Sequence, residues 1–198
     1  MPALTENQIA ALLAPYVEPP TAILPQLSLY LDLLLKWNAR TNLTAIRDPE
    51  EIVRRHFGES LFAAHHIGEC ATLLDFGSGA GFPGLPIQLF RPDIAVTLAE
   101  SQNKKATFLR EAVRNLGLPT EIWANRVESM PPGRQFDIVT LRAVDNMEAA
   151  LTAAAPRASH ELLLLTGSNP VLPAGFSANA SIHMPNTVTT VLQRVTRS

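Results

Sequence analysis

Two carboxylates and a run of glycines carry the chemistry most readily read from this chain. Asp75 closes the apolar stretch Leu73-Leu74-Asp75-Phe76, and Gly77, Gly79, Gly81 and Gly84 follow at once. Glycines so spaced accept positive φ and let a backbone approach a ligand with no Cβ in the way. The register Gly79-x-Gly81-x-x-Gly84 fits a dinucleotide fingerprint, but two neighbours disfavour a phosphate. Asp75 would repel an anion and attract a cation, and Pro83 removes an N–H that anions use at a helix start. S-adenosylmethionine, with an ammonium, a sulfonium and no phosphate, suits such an acidic strand end. Glu100 lies 23 residues beyond Gly77, where nucleotide-binding α/β folds place an acid against the ribose hydroxyls. The competing readings are a turn that only packs strand on helix, a pyrophosphate loop, and a solvated Glu100 capping the next helix.

These residues need strands and helices to hold them. Residues 72–76 read as a strand, 83–90 as a helix and 94–99 as a second strand ending at Glu100. A helix over 103–116 puts Ala106, Phe108, Leu109, Ala112, Val113 and Leu116 on one face. Arg110 and Arg114 fall on its outer face. Lys105 falls on the apolar side, so its head must leave the core, toward the carboxyl ends of the strands. Short strands at 121–124, 137–141 and 162–165 and a helix at 146–154 complete the alternation. Asn125-Arg126-Val127-Glu128 then forms a loop that could flank a purine. Arg142 leaves the fourth strand over the crevice where ligands bind, unless it is spent on an ion pair with Asp137 or Asp145. Strands alternating with helices predict an α/β fold with a mostly parallel sheet. The β-branched runs 181–183 and 187–195 could close it as an antiparallel hairpin.

Before the sheet, residues 5–17 and 21–37 have helical spacing of apolar residues, interrupted by Pro15 and Pro19-Pro20. Trp37 to Arg47 reads as irregular. Asp48-Pro49-Glu50-Glu51 is a helix start with a capping-box pattern, and Gly58 is expected to end or bend that helix. We therefore expect an N-terminal helical extension, 1–68, and a core of 69–198 folding as a single compact unit.

Composition narrows the class. The chain has 198 residues, 46% of them hydrophobic and 17% charged, with a net charge of −2. These values suit a compact soluble protein, and no apolar run approaches the roughly 18 residues that span a membrane. The N-terminal sequence Met1-Pro2-Ala3-Leu4-Thr5-Glu6 lacks the pattern of a signal peptide, which points to the cytoplasm. Cys70 is the single cysteine, so no disulfide framework or four-Cys zinc site is expected. The adjacent His65-His66 point to different sides of a helix, and no metal site is expected. Thirteen of the 16 basic residues are arginine, the side chain best suited to phosphate and base contacts. With so small a net charge, any polyanion site must be a local patch.

Taken together these motifs resemble one family, the bacterial small-subunit ribosomal RNA guanine-N7 methyltransferases of RsmG or GidB type. The resemblance rests on Trp37-Asn38 with Asn42-Leu43-Thr44-Ala45-Ile46, on His56-Phe57 with Ser60-Leu61, and on Asp75 to Gly84. It continues through Glu100-Ser101 with Lys104-Lys105, Phe108-Leu109-Arg110, Arg126-Val127-Glu128, Phe136-Asp137 and Arg142-Ala143, over roughly residues 30–165. It implies a Rossmann-like S-adenosylmethionine-dependent methyltransferase fold. It also implies methyl transfer to N7 of the guanine at position 527 of 16S rRNA, on the rRNA or the small subunit, by a protein expected to be a monomer. Cofactor contacts carried over by motif are Gly77, Phe82, Val127, Glu128 and Arg142. The residue reading adds Asp75, Gly79 and Glu100.

No strong general base is called for, because guanine N7 already presents a lone pair, and Arg142 and Lys105 are the positioning candidates. Arg40, Arg47, Arg54, Arg55 and Lys105 are candidate RNA contacts. A methyltransferase of another substrate, a nicotinamide-dependent oxidoreductase and a non-catalytic RNA-binding module are the alternatives. The sequence departs from the family pattern at Thr166-Gly167, where Lys-Gly is usual, at Glu59 for Asp, and at Leu141 for Ser.

Overall fold

The structure, a computed structural model, describes residues 2–144 and 146–198. Seven strands form one sheet: β1 (Thr72–Phe76), β2 (Ala95–Ala99), β3 (Glu121–Trp123), β4 (Phe136–Arg142), β5 (Ala158–Thr166), β6 (Phe176–His183) and β7 (Val191–Arg197). Their spatial order is β3-β2-β1-β4-β5-β7-β6. The first five strands pair in parallel, and the β6–β7 hairpin adds antiparallel to β5. The expected hairpin is therefore present, its first arm longer than the β-branched run 181–183 and its second shifted to 191–197 from 187–195. From β1 the chain moves outward to β2 and β3, then returns across to β4. The crevice of such a sheet opens at that reversal, beyond the carboxyl ends of β1 and β4.

Both faces of the sheet are covered, which is why its central strands read as continuous apolar runs. Alternate residues enter opposite cores. Leu73, Leu98, Ile138 and Leu163 face one core, and Leu74, Ala99, Val139, Leu162 and Leu164 face the other. The larger core is shared with α1 (Glu6–Leu13), α2 (Leu24–Thr41), α3 (Pro49–Ile52), α4 (Glu59–His66), α5 (Gly84–Phe90) and α6 (Asn103–Leu116). Helix α7 (Met147–Ala154) covers the other face. No helix among the described residues is long and apolar enough to cross a membrane.

Three local expectations are corrected. Helix α1 stops at Leu13, ahead of Pro15, and α2 runs on through Trp37 to Thr41. Asn42, at φ +48°, then ends α2 in the left-handed conformation, one that Asn tolerates better than most residues. Gly58 does not end its helix. The stretch Val53–Gly58 forms a π-helical turn that runs into α4. Gly58 is required by close approach, because a Cβ there would sit 2.7 Å from the Tyr16 ring.

Candidate active site

The glycine loop is held from beneath by Asp75. Its side chain is 1% exposed. Oδ1 accepts from Thr140 Oγ1 at 2.9 Å and Oδ2 from the Gly84 amide at 3.1 Å. Burial raises its pKa to about 6, against the hydrogen bonds that favour the carboxylate. Asp75 therefore faces the root of α5 and does not line the cleft above the loop. Gly77, Gly79 and Gly81 have φ of +69°, +58° and +94°, a region closed to most side chains. Their surroundings differ. A Cβ on Gly81 would lie 2.6 Å from Tyr30 Oη and from Leu85 Cδ1, whereas one on Gly77 would meet nothing within 4 Å. Gly79 is nearly as open. Gly81 is glycine for packing as well as for its φ, whereas at Gly77 and Gly79 the positive φ alone asks for glycine and leaves open space beside the backbone.

Glu100 lies at the exit of β2 and is 6% exposed. Its carboxylate accepts from the Gly79 amide at 3.0 Å and from the Gln102 amide at 2.7 Å. Glu100 thus ties the loop to β2, and each oxygen keeps acceptor capacity beyond one amide, though Glu100 itself does not line the cleft above the loop. The cleft above the loop has a volume of about 460 Å³. Leu43 to Ile46, Arg55, His56, Gly77 to Ala80, Phe82, Lys105, Arg142 and Ala143 line it. Lys105 reaches the crevice as its place on α6 predicts, while Arg110 and Arg114 stay outside. Phe82 faces the cleft at one edge and otherwise stacks on Tyr30, 5.3 Å away, and on His56 at 4.8 Å. Val127 is buried in the second core and Glu128 is exposed; neither lines this cleft.

Arg142 forms the opposite wall. Nη2 donates to the Arg55 carbonyl at 3.0 Å, to Glu59 Oε2 at 3.0 Å and to His56 Nδ1 at 2.9 Å. The ion pair is thus with Glu59. Asp137 sits at the far end of β4, accepting from the Ala71 and Thr72 amides, and Asp145 lies outside the described residues. An Nδ1 that accepts leaves the His56 proton on Nε2, which donates to Thr44 Oγ1 at 2.7 Å. Burial first, then Arg142 and Arg55, lower the His56 pKa to about 3, so this ring is neutral at working pH. Asn38 continues the chain of contacts. Its amide bonds the Thr44 and Ile46 carbonyls, at 3.0 and 3.3 Å, and its Oδ1 accepts from the Thr44 amide at 3.0 Å. Ala143, next to Arg142, is held at φ +50°, a conformation that costs a side-chain-bearing residue about 1–2 kcal/mol.

A second cleft, about 350 Å³, opens beside the first over the ends of β4 and β5 and shares Arg55, Arg142 and Ala143 with it. Thr166 and Gly167 lie on its far wall. Of the arginines expected to meet RNA, Arg55 borders both clefts and keeps 52% of its side chain exposed. Arg54 is paired with Glu50 at 2.8 Å, and Arg47 braces the segment after α2 through the Asn38 carbonyl and Asn42 Oδ1. Neither borders a cleft, and Arg40 is exposed on α2, apart from both. Asn38, Thr44, His56 and Glu59 are site residues that sequence reasoning misses. All four lie in or beside the short motifs 37–46 and 56–61, where polar residues at apolar spacing are the signal that could have found them. Among the described residues, no group of three metal-ligating side chains comes together.

Comparison with known proteins gives the family and the fold. A family model described as rRNA small subunit methyltransferase G (GidB) matches residues 23–172. A Chromobacterium violaceum protein named ribosomal RNA small subunit methyltransferase G is 42% identical over 140 residues, 70% of this chain. That match spans 66% of the relative, just under two thirds of its length. A Xanthomonas euvesicatoria protein of the same name is 40% identical over 75% of this chain and 73% of its own. Among solved structures, a mutant of MtNAS in complex with S-adenosylmethionine superposes with a TM-score of 0.60 at 11% identity. It covers 87% of this chain and 74% of that one. This likeness shows a shared Rossmann-like α/β fold.

Proposed function

Since the chain belongs to the GidB family of small-subunit rRNA methyltransferases, we propose that it methylates N7 of a guanine in 16S rRNA with S-adenosylmethionine. Position 527 is the target that the family resemblance implies. The observation that carries the reading is the cradle at Gly77 and Gly79. Its two glycines open onto the cleft where side chains would fill it, and the Glu100 carboxylate is tied to the same loop. That set suits an adenosine carrying a cation. Glu100 has acceptor capacity for ribose hydroxyls, and a carboxylate bonded to the loop opposes a pyrophosphate in the same place. Asp75 acts through the loop, fixing Gly84, and its buried charge favours a cation above it.

When bound, S-adenosylmethionine supplies an electrophilic methyl on a sulfonium, which leaves as a neutral thioether when the N7 lone pair takes the methyl. The protein's own work is positioning, an effect worth several kcal/mol when reacting atoms are held near contact. Gly77, Gly79 and Glu100 hold the nucleoside end, Phe82 and Leu43 to Ile46 exclude water, and Arg142 and Lys105 flank the acceptor side. Val127 and Glu128 stand at the exit of β3, where they can approach the adenine only from the rim. The reaction belongs to the compartment of the ribosomal subunits, the cytoplasm, and a monomer is the expected form.

Transfer of labelled methyl to small-subunit particles, naked 16S rRNA and bulk protein, followed by mapping, tests the reading. Label at N7 of one guanine is expected. Absence of label from rRNA in every form refutes it.

A further inference from the structure

The second cleft has no assigned occupant, and its wall with the first is made of Arg142 and its neighbours. Apolar Val144, Met147 and Leu165 and polar Thr166 and Ser168 line a space of about 350 Å³. A planar, apolar-faced ring with hydrogen-bonding edges suits that lining. The decisive detail is how Arg142 is held. A guanidinium offers five N–H donors on three nitrogens, yet every hydrogen bond it makes with the described residues runs through Nη2. Both ways in which arginine grasps a ligand with two parallel bonds use Nη2, once with Nε and once with Nη1. Anchoring Nη2 on the protein removes both forks. It leaves Nε and Nη1 as separate single donors on a side chain that is still 12% exposed.

Building on the rRNA guanine reading, we propose that the second cleft seats the methyl-accepting purine and that Arg142 reads its six-position through one donor. Guanine presents O6, an acceptor, beside N7, whereas adenine presents an amino donor there. Arginine has no acceptor to offer, so a keto purine is paired and an amino purine is opposed. The ordinary two-bond grasp of O6 and N7 by arginine would consume the lone pair that must attack. A guanidinium anchored at Nη2 can engage O6 alone and leaves N7 free. In the transfer the N7 pair forms the new bond to carbon and the carbon–sulfur bond breaks with its pair going to sulfur. No proton moves, and the purine becomes a cation. Glu59, 3.0 Å from Nη2, offsets the guanidinium charge, so the donor beside N7 does not add a full opposing charge to that cation. His56 accepts on the same nitrogen and, hydrogen-bonded to Thr44, transmits the placement of the first cleft's wall to Arg142.

The test uses 16S rRNA in which the target guanosine is replaced by inosine, which keeps O6, or by 2-aminopurine, which lacks it. Methyl transfer and equilibrium binding in the presence of S-adenosylhomocysteine are measured for the wild type and for Arg142→Met. The wild type is expected to favour inosine by roughly thirtyfold, the range of a charge-assisted hydrogen bond. In Arg142→Met that ratio collapses toward one in binding, and in turnover where turnover persists. Comparing ratios cancels the intrinsic reactivity of the two bases. A third protein, Ser168→Trp, fills the second cleft from its rim. It is expected to lose methyl transfer at least tenfold while binding S-adenosylhomocysteine as before. A ratio unchanged in Arg142→Met, or full activity in Ser168→Trp, overturns the proposal. Wild-type protein that leaves unmodified guanosine unlabelled instead refutes the rRNA reading, and the proposal falls with it.

Discussion

At the scale of single residues, the site depends on two buried titratable groups shifted in opposite directions. His56 has a native pKa near 3, below its ordinary 6.5. Below pH 6.5 the unfolded chain takes up a proton that the native ring refuses, so stability falls as pH drops toward 3. Asp75, raised from 3.8 to about 6, works the other way, and its contribution falls as pH rises from 3.8 to 6. Each slope approaches about 1.4 kcal/mol per pH unit, so the two oppose each other between pH 3.8 and 6. His56→Gln removes one of them. Its stability relative to the wild type is expected to improve as pH is lowered from 6.5 to 4, in urea unfolding at several pH values. A constant difference would mean that His56 takes up its proton in the native state. Little of this was legible in sequence. The Asp75 carboxylate was visible as an acid at a strand end, but its direction is set by Thr140, 65 positions away. Arg142 could be placed at the crevice because a strand exit has a known location. Its partner Glu59 could not, because that pairing crosses 83 residues.

At the scale of elements, the glycine loop divides between packing and binding, and substitution separates the two. Gly81→Ala forces φ +94° on an alanine and drives its Cβ into Tyr30 and Leu85. A loss of about 2 kcal/mol or more is expected in thermal or urea unfolding. Gly77→Ala carries similar backbone strain without the clash, so the smaller stability loss should come with at least a tenfold drop in cofactor affinity by calorimetry. Equal effects of the two changes on affinity would remove the distinction. The strand–turn–helix pattern was legible because β1 and β2 are unbroken apolar runs bounded by turn residues and α6 has one apolar face; observed and expected bounds agree to a residue. The π-helical turn at Val53–Gly58 was not, since one extra residue per turn leaves no periodic mark. Such turns often lie at functional sites. This one sets His56 and Glu59 at the angles from which both reach the same nitrogen of Arg142.

At the scale of the molecule, the N-terminal helices and the sheet share one core, and Tyr30 donates from α2 to the Ala80 carbonyl in the glycine loop at 2.5 Å. The helical segment, which local patterning suggested only as an appendage, is thereby part of the cleft above the glycine loop. RNA binding should follow the clefts rather than the overall charge of −2. Replacing Arg55 and Lys105 together by alanine is expected to lower the slope of log K against log salt by roughly 0.7–0.9 for each phosphate no longer neutralised. The matching pair Arg47→Ala and Arg54→Ala should leave that slope nearly unchanged, because both side chains are engaged within the protein. Equal slopes for the two pairs in filter binding would spread the RNA surface beyond the clefts.

The order of the sheet sets one further limit, in the timing of synthesis. β7 lies between β5 and β6, fastened to β5 by the two-bond pairing of Arg194 with Glu161. Until residues 191–197 have emerged from the translating ribosome, β5 is an open edge and β6 has no strand to pair with. The wall of the second cleft at Thr166–Ser168 is then without its neighbour Thr190. A nascent chain can build the glycine cradle from β1, β2 and α5, yet the second cleft is completed only once β7 has joined β5.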